Sequence, residues 1–92
     1  MNRKFTERYR GENAIDAFKT GSRVSRDVHG MGKGNLCDKS SFRVITPIGP
    51  VILDEDVWNH QLPAWVGDPW GPAACVDLGG GNFVFFGVSP VT

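Results

Sequence analysis

Residues 73–88 read Ala-Ala-Cys-Val-Asp-Leu-Gly-Gly-Gly-Asn-Phe-Val-Phe-Phe-Gly-Val, two apolar runs around a triple glycine. Gly79-Gly80-Gly81 can reverse the chain tightly. Ala73–Leu78 and Asn82–Val88 are therefore expected to pair as a C-terminal hairpin. In the second run Phe83, Phe85 and Gly87 share one face and Val84, Phe86 and Val88 share the other. A strand apolar on both faces is central in its sheet or covered.

Working outward, Phe42-Arg43-Val44-Ile45-Thr46 reads as a strand, Pro47-Ile48-Gly49-Pro50 as a turn and Val51-Ile52-Leu53 as the return strand. Residues 3–10, Arg-Lys-Phe-Thr-Glu-Arg-Tyr-Arg, place Phe5, Glu7 and Tyr9 on one face of an extended segment and Lys4, Arg8 and Arg10 on the other. That pattern fits a strand with one basic face, with a helix as the alternative. After Gly11, early acids, Ala14, Ile15, Ala17 and Phe18, and a late Lys19 predict a short helix over 12–20, stopped by Gly21. Residues 23–28 fit either a strand or a continuation of that helix. His29-Gly-Met-Gly-Lys-Gly-Asn35 is a loop, and Asp54 is placed to cap one helical turn before His60. The sum is an α+β fold: an antiparallel sheet of four to five strands with one short helix on one face, in a single domain over 1–92.

Size and composition agree. The chain has 92 residues, 40% hydrophobic and 22% charged, which suits one globular core and not a disordered segment. Twelve Gly and six Pro imply many turns. No apolar run approaches the ~20 residues of a membrane span, and no apolar leader follows the basic N-terminus. A cytoplasmic protein with no membrane partner is expected. Cys37 and Cys75 are expected as free, buried thiols.

A net charge of zero hides a division. All ten Lys and Arg lie in residues 1–43 with five acids, a net of +5; residues 44–92 hold five acids and no Lys or Arg, a net of −5. Either the halves cancel against each other within the fold, or they form two docking surfaces, one basic and one acidic. On the second reading the partner-binding residues are Arg3, Lys4, Arg8, Arg10, Arg23, Arg26, His29, Lys33 and Asn35 on the basic side. On the acidic side they are Asp54, Glu55 and Asp56.

Several motifs point away from catalysis. Gly30-Met-Gly-Lys-Gly-Asn35 could crowd backbone N–H groups toward an anion. Gly34 follows Lys33 where a nucleotide-binding loop needs Ser or Thr and a helix. A plain flexible surface loop is the simplest reading; the functional one is contact with a phosphate backbone, with Arg23, Arg26, His29 and Lys33 as one positive edge and Asn35 as a hydrogen-bonding group. His29, His60, Cys37 and Cys75 lack the close pairing of a zinc site, and no spacing selects a Cys–His nucleophile. No cofactor, metal or small-molecule substrate is expected. Trp58, Trp65 and Trp70 fit a protein-binding surface and core staples equally.

From Met1-Asn2-Arg3-Lys4-Phe5 through Arg23-Val24-Ser25-Arg26-Asp27-Val28-His29-Gly30, and over its full length, the chain resembles the small phage-encoded anti-CRISPR proteins that inhibit type I-F (Csy) surveillance complexes. The resemblance implies a non-enzymatic inhibitor in the host bacterial cytoplasm. It would bind Cas proteins of the complex, with its guide RNA backbone as a further contact, and block target DNA hybridisation. The alternative is a small stand-alone nucleic-acid-binding protein that uses the basic N-terminal half.

Overall fold

The computed structural model describes residues 1–92. The fold is α+β. Strand β1 (Asn2–Arg10), helix α1 (Ala14–His29), and strands β2 (Phe42–Val44), β3 (Ala73–Gly79) and β4 (Asn82–Pro90) follow in that order. The sheet runs β1-β4-β3-β2. β4 pairs antiparallel with both β1 and β3, so the strand apolar on both faces is central, as its pattern requires. The C-terminal hairpin forms as expected.

β2 departs from expectation. It pairs parallel with β3, Phe42 opposite Ala73 and Val44 opposite Cys75, so the sheet is mixed. Residues 51–53 form no return strand. A parallel neighbour cannot be reached through a tight turn and needs a long crossover. Residues 45–72 supply it, and they serve as a cover as well as a link. Val57 and Val66 are buried against Ala74, Val76, Val84 and Phe86, with Val51, Trp58, Leu62 and Trp65 packed around them. Trp58 and Trp65 are therefore staples of this second core, while Trp70 is 81% exposed. Two short 3-10 turns, Asp54–Asn59 and Ala64–Gly67, shape the excursion.

Helix α1 covers the opposite face. Asn13 caps it, its side-chain oxygen accepting from the Asp16 N–H at 2.8 Å. It does not stop at Gly21 but continues to His29, and residues 23–28 are helix. The face it buries is narrow and small: Ala17, Gly21 and Ser25 are buried, with Ala14 and Phe18 packed beside them. Ile15, expected in the apolar stripe, is 61% exposed. Phe18 instead meets Phe42 and Phe85, with ring centroids at 4.9 and 5.7 Å.

Gly21 lets the helix approach the sheet. A methyl group there would lie 2.8 Å from Tyr9 Cγ and 2.9 Å from Tyr9 Cε2. That ring is held, because the Tyr9 hydroxyl donates to the Glu7 carboxylate. In an open helix, Gly→Ala gains about 1 kcal/mol. Here overlap outweighs that gain, and Gly21→Ala is expected to lose about 1–2 kcal/mol in urea denaturation. A gain would show that the ring yields.

Candidate docking surface

The structure deploys the two signs of charge differently. Of the ten acids, seven accept hydrogen bonds from the protein itself. Glu7 takes the Tyr9 hydroxyl and the Leu36 N–H. Asp16 takes the Glu12 N–H, and Asp38 takes three loop amides. Asp54 takes Arg8, and Asp56 takes the N–H groups of Ile52 and Leu53. Asp68 and Asp77 hold the amides of Trp70 and Gly79. Only Glu12, Asp27 and Glu55 have no such task. The cations, by contrast, mostly point outward, and Arg8–Asp54 at 2.7 Å is the sole ion pair in the molecule.

On α1, residues 15, 19, 23 and 26 follow four-, four- and three-residue steps and so share one face. Lys19, Arg23 and Arg26 form a cationic stripe there, all exposed and none paired with a carboxylate. His29 is exposed in the last turn. Lys33 is exposed on the following loop, and Arg3 reaches that loop by donating to the Lys33 carbonyl at 3.4 Å. Arg23, Arg26, His29, Lys33 and Arg3 thus belong to the helix, its C-terminal loop and the start of β1. Lys19 completes the stripe and was missed, because its role depends on the helix running past Gly21.

Lys4, Arg8 and Arg10 do share the other face of β1, but that face is partly occupied. The turn Asp54–Asn59 packs on it. Trp58 Nε1 donates to the Thr6 hydroxyl at 2.8 Å, and Lys4 Nζ sits 4.8 Å from the Trp58 ring centroid. The turn brings Asp54 to Arg8, and the pair raises the Arg8 pKa further through its hydrogen bond and charge. Asp54, Glu55 and Asp56 therefore do not form a pole remote from the cations. Asp54 is spent on Arg8. Asp56 organises the backbone before the turn, and the amides of Leu53 and Ile52 hold its carboxyl below the usual range. Only Glu55 is free. Of the acidic triplet expected as a docking surface, one member is thus tied to a β1 cation, one to the backbone, and one stays open to solvent.

The glycine loop also differs from expectation. Gly30, Gly32 and Gly34 all have positive φ. This turns the amides of Gly32, Gly34 and Asn35 onto one anion, the Asp38 carboxylate, at 2.8, 2.9 and 3.3 Å. The cradle is thus filled from within. Asn35 is only 4% exposed and lies beneath the surface, where its carbonyl accepts from Ser89. It is not presented to a partner.

The remaining reactive groups are quiet. Cys37 and Cys75 are free and buried. Burial pushes the Cys37 thiol up and the Cys75 thiol up to about 12, so neither is a thiolate nucleophile at neutral pH. No three His, Cys, Asp or Glu side chains converge in metal-binding geometry. One open cleft of about 310 Å³ lies between residues 46–51 and the end of β3, where Asp77 is its single ionisable group. No helix is long and apolar enough to cross a membrane. Comparison with protein-family models, with curated proteins and with solved structures finds no match to the chain.

Proposed function

We propose that the protein acts by binding, without catalysis, and that the cationic side of α1 with the Arg3–Lys33 loop is its docking surface for a nucleic-acid backbone. One observation carries this reading: Lys19, Arg23 and Arg26 line a single helix face with no carboxylate partner, while most acids are engaged within the protein. Unpaired surface cations gain from meeting phosphates through counterion release. The resemblance to type I-F anti-CRISPR proteins supplies the setting: a phage inhibitor that docks on the Cas proteins and guide RNA of a Csy complex and blocks target DNA hybridisation. The second reading, a stand-alone nucleic-acid-binding protein, uses the same face. It is favoured by the Arg8–Asp54 pair, which leaves less of the acidic triplet open to a basic Cas groove.

Two measurements separate these readings. In the first, the protein is mixed with a reconstituted type I-F complex, and co-elution and DNA loading are followed. In the second, a single-stranded RNA oligomer is titrated at several salt concentrations. The inhibitor reading expects co-elution with loss of DNA loading; the stand-alone reading expects RNA binding that weakens steeply with salt. Arg23→Glu with Arg26→Glu, on an exposed helix face, should leave stability nearly unchanged. The pair should weaken either interaction on the order of tenfold or more and reduce the single-strand salt slope by roughly 1.4, two contacts at ~0.7 each. No association with either partner at low salt removes both readings.

A further inference from the structure

The outer edge of β1 is an open row of backbone hydrogen-bonding groups, and its parity follows from two bonds at its ends. The Val91 N–H donates to the Met1 carbonyl and the Gly11 N–H donates to the Gly81 carbonyl. Both pairs lie on the β1–β4 register, in which Phe5 faces Gly87 and Tyr9 faces Phe83. In an antiparallel ladder, hydrogen-bonded pairs alternate with non-bonded ones. The odd residues of β1 therefore turn their N–H and C=O groups toward β4. Those of Asn2, Lys4, Thr6, Arg8 and Arg10 point away from the sheet. No hydrogen bond within the protein uses any of these outward groups: none is among the turn, loop and cap bonds, and no side chain reaches them.

The edge is nine residues long and regular, with no bulge along its pairing to β4. Edges that must stay unpaired are usually short, bulged or covered. This one is long, and its exposed charges are cationic: Lys4, Arg8 and Arg10 project to one face and Arg3 to the other, while the one acid, Glu7, is turned to the inner face and bonded to Tyr9 and Leu36. Two copies joined antiparallel at β1 would bring these like charges together, which disfavours a second copy of this chain as the occupant. The complementary occupant is an extended segment of negative charge.

We infer that the β1 edge receives an acidic peptide strand from a partner protein, adding a fifth strand to the sheet by backbone pairing. The outward N–H and C=O groups of Lys4, Thr6, Arg8 and Arg10 provide the pairing. Lys4 and Arg10 attract carboxylates on alternate residues of the incoming strand, while Arg8 stays held by Asp54. This surface is separate from the α1 stripe, so either can fail without the other.

The test uses the full chain and a nine-residue capped peptide of alternating glutamate and valine. A matched peptide of the same sequence carries N-methyl groups on alternate amides, which keeps its charge but removes its donors. Amide exchange and chemical shifts are followed by NMR. The unmodified peptide is expected to slow exchange at Lys4, Thr6, Arg8 and Arg10 by about tenfold or more at saturation, with little change at odd positions. The N-methylated peptide is expected to bind at least about tenfold more weakly. Lys4→Pro removes one of these outward donors where an edge strand tolerates proline, and it should weaken the unmodified peptide. Equal binding of the two peptides, protection spread over α1, self-association through β1, or no binding at millimolar peptide would each overturn the inference.

Discussion

Replacing Lys39 with methionine is expected to destabilise the protein by about 2–3 kcal/mol and to free residues 68–72. Lys39 is only 6% exposed although it is charged. Its ammonium has three donors, and all three are spent on carbonyls of one loop: Asp68 at 3.3 Å, Pro69 at 3.2 Å and Gly71 at 2.9 Å. The loop turns around the ammonium as around a bound cation and delivers the chain into β3, where the Ala73 N–H pairs with the Ser41 carbonyl. Methionine fills the volume but donates nothing. Arginine is not a substitute, because its planar fork cannot direct three donors inward from one point. Urea denaturation reads the loss, and faster exchange at the Trp70 and Gly71 amides localises it.

The same residue has a pH signature. Burial lowers the Lys39 pKa below 10.5, with Asp68 partly opposing. In the window between that lowered value and 10.5 the unfolded chain binds more protons than the folded one, so the Lys39 contribution to stability rises with pH. Raised thiol values at Cys37 and Cys75 act in the opposite direction above pH 9, but they are shared by protein and variant and cancel in the difference. The stability gap between the two should therefore widen as pH climbs toward 10.5. A constant gap would mean that the three carbonyls offset the burial of the charge and that the amine keeps its ordinary pKa.

Where the sequence was legible, one periodicity settled the matter. Alternation placed Phe5, Glu7 and Tyr9 on the inner face of β1, and two-sided apolarity placed β4 in the centre, because both patterns answer to burial by the neighbouring layers. The second half of α1 was illegible for the converse reason. Its buried face is Gly21 and Ser25, residues that carry no hydrophobic signal, while Val24 and Val28 face solvent at 39% and 69% exposure. The hairpin expected at 42–53 failed because Pro47 and Pro50 look like a turn in isolation. Only the need to cover Val84 and Phe86 explains why residues 45–72 travel across the sheet. Among candidate site residues, Arg23 and Arg26 were legible as part of one positive edge, but Lys19 joins them only because the helix runs past Gly21. The fates of Arg8, Asn35, Asp54 and Asp56 depended on tertiary contacts separated widely in sequence, such as Arg8 to Asp54.

Removing the Asp38 carboxylate should expose the anion cradle that the glycine spacing suggested. In Asp38→Ala the amides of Gly32, Gly34 and Asn35 lose their shared acceptor. Three charge-assisted bonds, partly replaced by water, set an expected loss of about 3 kcal/mol. Asp38→Asn keeps one acceptor oxygen and should lose about half as much. The damage should spread, because the same loop seats Leu36 in the first core and places the Cys37 N–H on Ser25. If the carboxylate acts as an internal anion, then a small free anion should replace it. Formate near 100 mM should recover part of the lost stability in Asp38→Ala by preferential binding to the folded state, with little effect on the unmodified protein. Phosphate should shift the Gly32 and Gly34 amides in the variant alone. Equal shifts in the unmodified protein would mean that Asp38 leaves its cradle readily, and that the loop competes for phosphate as a site in its own right. That outcome would move the centre of nucleic-acid contact from the Lys19–Arg23–Arg26 stripe to the loop, because a cradle of amides fixes a phosphate in place whereas exposed cations only attract it.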